Sequence, residues 1–139
     1  MEDRRSILVI DDEDAILRLM EFHLSREHRC TTVLSAEEAF RLMEKESFHI
    51  VLTDINLPGA SGFDVCDYVR SHCPETVMMM MTGMQGALHA KRALDAGVFS
   101  FVTKPIEFSR LLRLISDALR HQAMMASHKA RSGAPRPGA

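Results

Sequence analysis

Ile7-Leu-Val-Ile-Asp-Asp-Glu13 is a run of four apolar residues, three of them β-branched, that leads straight into three acids. A run so short and so continuous reads as a strand buried on both faces, as a parallel sheet requires. The acids that follow mark its carboxyl end. Working outward from it, similar short runs stand at residues 31–34, 50–53, 77–81 and 99–103. The fourth contains Met78, Met79, Met80 and Met81, which suit a strand poorly by propensity; its length and position decide for a strand.

Helical patterns fill the intervals. Ile16, Leu19, Met20 and Leu24 recur at i, i+3, i+4, i+8, and Ala36, Ala39, Phe40 and Met43 at i, i+3, i+4, i+7. Ser35 and Glu38 make an S-x-x-E capping box before the second helix. A third helix is expected over 62–72, stopping before Pro74. A fourth is expected over 86–96, with Gly97 as its stop. A fifth starts at Phe108, carries Leu111, Leu112, Ile115, Ala118 and Leu119 on one side, and is expected to fade around His121. Strand and helix thus alternate five times. Right-handed crossovers then give one parallel sheet with helices on both faces, an α/β fold. Residues 1–121 form the expected domain. Residues 122–139 lack apolar periodicity, contain Pro135 and Pro137, and are expected to be a flexible tail or the start of a linker.

The chemistry sits where the strands end. The first expected strand is followed by Asp11 and Asp12, the third by Asp54, the fourth by Thr82 and the fifth by Lys104. Ligands of open α/β sheets bind outside the carboxyl ends of the strands, so these residues converge on one edge. Clustered carboxylates repel one another and call for a compensating cation. Mg²⁺ commonly binds through a few carboxylates, waters and phosphate oxygens. Asp serves elsewhere as a covalent phosphoryl nucleophile, and such transfers need positioning and charge neutralisation above all. The constellation therefore reads as an aspartyl-phosphate site. Taken singly, each part has a blander reading. An Asp pair after a strand is often a helix cap, Thr-Gly a turn, and Lys-Pro a solvated lysine before a helix.

The chain has 139 residues and a formal net charge of -2, which does not indicate a nucleic-acid partner. No apolar run is long enough to span a bilayer. Cys30, Cys66 and Cys73 show no metal or redox spacing and are expected to be free thiols in a reducing cytosol. The seven histidines show no ligand spacing and are taken as surface or packing residues.

Ile7-Leu-Val-Ile-Asp-Asp-Glu13, Thr53-Asp-Ile-Asn-Leu-Pro-Gly59, Met81-Thr-Gly83 and Thr103-Lys-Pro105 resemble, in order, the signature blocks of response-regulator receiver domains of two-component signalling. The resemblance covers about residues 6–121. It implies a flavodoxin-like, doubly wound five-stranded sheet in the order 2-1-3-4-5. It also implies a phosphorelay switch in the cytoplasm, which takes its phosphoryl group from a histidine kinase or phosphotransfer protein.

In that frame Asp54 is the phosphoacceptor, and Mg²⁺ is held by Asp12 directly, by Asp11 largely through water, by Asp54, and by the backbone carbonyl of Asn56. Thr82 and Lys104 hold the phosphoryl oxygens, and Phe101 is the aromatic switch partner of Thr82. Asn56 and Met84 occupy positions that tune phosphoryl lifetime. The fourth helix, fifth strand and fifth helix are the face for an output domain or partner, and a homodimer is a further admissible state. Such a domain is not an enzyme in the ordinary sense and acts only on its own phosphorylation and dephosphorylation. The Lys104-Pro105 bond is expected cis, as in the domains this chain resembles, because the chain must turn sharply while Lys104 aims back at Asp54.

Two other classes use related parts. A haloacid-dehalogenase-type phosphohydrolase needs a second Asp two residues after its nucleophile, where this chain has Asn56. A flavin carrier needs a phosphate-cradling loop after the first strand, where this chain has acidic Asp11-Asp-Glu-Asp14.

Overall fold

The computed structural model describes residues 4–83 and 86–133, without the side chains of 86–88 and 129–133. Its elements run β1 (Ser6–Ile10), α1 (Asp14–Leu24), β2 (Arg29–Val33), α2 (Ala36–Met43), β3 (Ile50–Asp54), α3 (Gly62–His72), β4 (Val77–Thr82), α4 (Gly86–Asp95), β5 (Ser100–Thr103) and α5 (Phe108–Gly133). The five strands form one sheet in the order β2-β1-β3-β4-β5, and every neighbouring pair is parallel.

Continuous apolar strands are continuous because both faces are covered. Along β1, Leu8 and Ile10 point into one core, and Ile7 and Val9 into the other; all four are fully buried. The methionines of β4 divide the same way: Met78 and Met80 join the first core, Met79 and Met81 the second. The first core is closed by α2, α3 and α4 through Ala39, Met43, Cys66, Val69 and Ala93. The second is closed by α1 and α5 through Leu17, Met20, Leu24, Leu111 and Ile115. The crossovers that leave β1 and β3, through α1 and α3, therefore lie on opposite faces. This opens the crevice between the ends of β1 and β3 where such sheets bind ligands.

The starts of α2 and α3 are set by side chains. The Ser35 side chain accepts the Glu38 N–H at 3.2 Å, as the capping box predicts. The Glu38 carboxylate, however, takes the N–H of Leu34 at 2.8 Å. A complete reciprocal box, missed in the sequence, stands at α3: Ser61 Oγ accepts from Phe63 and Asp64, and the Asp64 carboxylate accepts from Ser61. Gly97 follows α4 with φ +91°, the left-handed stop expected of it. The Lys104-Pro105 peptide is cis, as expected.

One expectation is corrected. The fifth helix does not fade around His121; it continues unbroken to Gly133, through most of the segment read as a tail. Gln122 is buried and donates its Nε2–H to the Glu75 carbonyl at 3.3 Å, so a polar residue occupies the core-facing stripe. Pro135 and Pro137 lie outside the described residues.

Candidate functional site

Asp11 is the first residue past β1 and is completely buried. Its N–H donates to the Val33 carbonyl at 3.2 Å, which fastens the turn to β2. Its Oδ1 accepts the Glu13 N–H at 2.8 Å, which leaves Oδ2 facing inward over the sheet end. Asp54 is the last residue of β3 and is 7% exposed. Its Oδ1 accepts the Asn56 N–H at 3.3 Å. Lys104 reaches both acids from the end of β5: Nζ lies 2.8 Å from Asp11 Oδ2 and 3.0 Å from Asp54 Oδ2. Glu13 Oε1 stands 3.5 Å from the same ammonium, a neighbour the sequence reading did not pick out. The Lys104 N–H donates to the Thr82 carbonyl at 2.8 Å, which locks the ends of β4 and β5 together.

Asp11, Asp12 and Asp54 each offer a carboxylate oxygen, all within 4.8 Å of one another; Asp12 is exposed where the other two are buried. The donors are all oxygens and all anionic, which suits a hard divalent cation rather than a thiophilic metal. Two of these carboxylates, Asp11 and Asp54, share the Lys104 ammonium, so the cluster keeps an excess of negative charge. Thr82 ends β4 at 1% exposure, and its Oγ1 is buried without a hydrogen-bond partner among the described residues. Such an orphan is rare in a folded protein and marks a group kept for a ligand or a second state. Phe101 lies on β5 in register with Met80, half-buried against the core of α2, α3 and α4. Asn56 is exposed in the loop after β3. Met84 lies outside the described residues.

Burial pushes the Asp54 carboxyl above the usual carboxylate range; the Lys104 hydrogen bond and charge oppose that push, and the Asp11 charge adds to it. Burial pulls the Lys104 ammonium down, but hydrogen bonds and charge from Asp11 and Asp54 outweigh it and hold the ammonium above its ordinary range. The two directions are consistent: one lysine gains two carboxylates, while the carboxylates share one lysine. The result is a fixed cation beside a carboxylate short of counter-charge.

Gly62 is a further site residue that the sequence reading placed only as a helix start. A Cβ there would stand 2.4 Å from the Asp54 carbonyl oxygen and 2.8 Å from the Ile55 Cα. Only glycine lets α3 begin against the strand end that carries Asp54. A glycine eight residues beyond a strand-end acid, at a helix start, was the available signal. Among the described residues no helix is long and apolar enough to cross a membrane.

The family model for the response regulator receiver domain matches residues 7–116. The chain is 38% identical over 118 residues to the response regulator protein PilR of Pseudomonas aeruginosa, over 84% of this chain and 26% of that protein. It is 33% identical over 114 residues to the heme response regulator HssR of Staphylococcus aureus, over 81% of this chain and 50% of that protein. The chain thus spans half or less of the length of these curated relatives. A solved receiver-domain structure from Clostridium thermocellum superposes with a TM-score of 0.82 at 29% identity, covering 87% of this chain and 98% of that one. A buried acid cluster at the end of a 2-1-3-4-5 sheet and a family match across most of the sequence lead to one conclusion: this chain belongs to the response regulator receiver domains, the phosphoacceptor switches of two-component systems.

Proposed function

We propose that Asp54 is the phosphoacceptor and that the reaction requires Mg²⁺ at Asp11, Asp12, Asp54 and the Asn56 carbonyl. The observation that carries this reading is the Lys104 ammonium fixed between Asp11 and Asp54 at hydrogen-bond distance. An Asp54 carboxylate oxygen attacks the phosphorus of a phosphohistidine on a histidine kinase or phosphotransfer protein. The P–N bond breaks, and the electron pair leaves on the imidazole. Lys104 and the Thr82 hydroxyl neutralise and orient the phosphoryl oxygens. The bound cation supplies charge neutralisation between the carboxylates and the phosphoryl group.

Thr82 and Phe101 form the switch, and the surface of α4, β5 and α5 meets an output domain, another partner or a second copy of the chain. Residues 1–121 are the receiver body, and residues 122–139 are a tail or the start of a linker, helical as far as Gly133. We place the protein in the cytoplasm and assign it no catalysis beyond its own phosphorylation and dephosphorylation.

With acetyl phosphate and Mg²⁺, intact-mass spectra should show one added phosphate, acid-stable and base-labile. Asp54→Ala and chelation of the metal should each abolish it. Undiminished phosphorylation of Asp54→Ala would remove Asp54 from its role.

A further inference from the structure

The loop of residues 55–61 follows Asp54 directly and carries Asn56. It is tied at both ends. At its start the Ile55 N–H donates to the Met81 carbonyl at 3.0 Å. At its end the Gly62 N–H closes onto the Ile55 carbonyl at 2.9 Å, and Ser61 is held in its capping box. Leu57 anchors it from below, 9% exposed in the core with Ala36 and Ala39. The stretch from Pro58 to Ala60 is solvent-facing or half-buried, and among the described residues its one side-chain hydrogen bond to another element comes from α2.

Glu37, in the first turn of α2, accepts the Ala60 N–H on its Oε2 at 3.0 Å. The loop is shaped to receive that carboxylate. Gly59 has φ +78°, and a Cβ at this position would stand 2.9 Å from the same Oε2. Any larger residue there would both strain the backbone and displace the acid. The carboxylate is also well placed electrostatically, at the positive end of α2. An exposed glutamate that looks like an ordinary surface acid is therefore fitted to the loop of the reactive aspartate.

We propose that Glu37 is a positioning residue for the phosphoryl chemistry: it latches the 55–61 loop in the shape that presents the Asn56 carbonyl to the cation. The inference rests on the reading of the site given above. Glu37 lies outside the acid cluster of Asp11, Asp12 and Asp54 and acts through the loop, not by binding the metal itself. Groups that orient metal ligands from behind typically contribute 10–100-fold in metal affinity, and a latch one step further back should stand near the low end, about tenfold.

The test compares wild type, Glu37→Ala, Glu37→Gln and, as a control at the C-terminal cap of α2, Glu44→Ala. Glu37 is exposed, so none of these touches the core. Two quantities are read: amide exchange at Ala60 in the metal-free protein, and the Mg²⁺ concentration for half-maximal phosphorylation by acetyl phosphate. Glu37→Ala should speed exchange at Ala60 and raise the Mg²⁺ requirement about tenfold, with the rate at saturating Mg²⁺ nearly unchanged. Glu37→Gln keeps an acceptor and should stay within about threefold of wild type on both, as should Glu44→Ala. Wild-type behaviour of Glu37→Ala would overturn the proposal. So would a loss in Glu37→Gln equal to that in Glu37→Ala, since bulk charge would then be the cause. Failure of the wild-type protein to take phosphate on Asp54 would instead overturn the site assignment. The Ala60 exchange data would still report whether the latch exists.

Discussion

Asp54 is a carboxylate in a place that disfavours its charge, and this has a measurable sign. A carboxyl held above its ordinary range binds a proton more readily folded than unfolded. Its cost to stability is absent below the unfolded value. That cost grows as pH rises through the window between the two values and is full above it. Asp54→Asn should therefore raise the thermal midpoint of the metal-free protein at pH 7, and the gain should shrink as pH falls toward the ordinary carboxylate range. Mg²⁺ should raise the wild-type midpoint more than that of the variant, because ligand bound only by the folded state stabilises it. A lower midpoint for Asp54→Asn at pH 7 would show that Lys104 outweighs burial. At this scale the sequence was most readable where a residue ends a strand: Asp11, Asp12, Asp54, Thr82 and Lys104 all stand at the expected edge. Glu13 and Glu37 gave no sign in the sequence, and Gly62 gave one only through its spacing from Asp54. What matters about each is a distance to a residue far along the chain or across a turn.

Two helices begin on side-chain caps, α2 at Ser35 and α3 at Ser61. Ser61 accepts two backbone N–H groups at the start of α3, directly after the loop that Asp54 opens. Ser61→Ala should cost about 1 kcal/mol in urea unfolding, with an unchanged m-value. A change below a few tenths would mean that water replaces the cap without loss. The Ser35 cap was visible because Glu38 follows three residues later; the Ser61 box was hidden because its partner is Asp64 in place of the usual Glu or Gln. The length of α5 was hidden for a different reason. Periodicity ends at Leu119 because the next core-facing position is Gln122, satisfied by the Glu75 carbonyl. Beyond it Met125 still packs against the second core, and Ala, Lys and Arg carry the helix onward by propensity.

The molecule as a whole is two cores separated by one sheet, and Thr82 and Phe101 stand on neighbouring strands near the reactive edge of that sheet. An aspartyl phosphate adds roughly one to two negative charges beside an unpartnered hydroxyl. A bias of a few kcal/mol is enough to move a two-state element. A crystal structure with beryllofluoride should therefore find Thr82 drawn toward Asp54 and Phe101 turned into the space it leaves; unchanged positions of both would end the switch assignment. The strand order follows from alternation joined to the resemblance, because buried parallel strands announce themselves by continuity. The split of β4 into two cores follows from the same strand geometry, yet its methionine composition speaks against a strand by propensity. That split also orders the chain's response to oxidants. Peroxide converts accessible thioethers to polar sulfoxides. Met124 is 69% exposed, whereas Met78 to Met81 are sealed between helices on both sides of the sheet. Among the described methionines, damage therefore falls first on Met124 of α5, whose side chain lies outside both cores. It reaches β4 only in molecules whose sheet has already come apart.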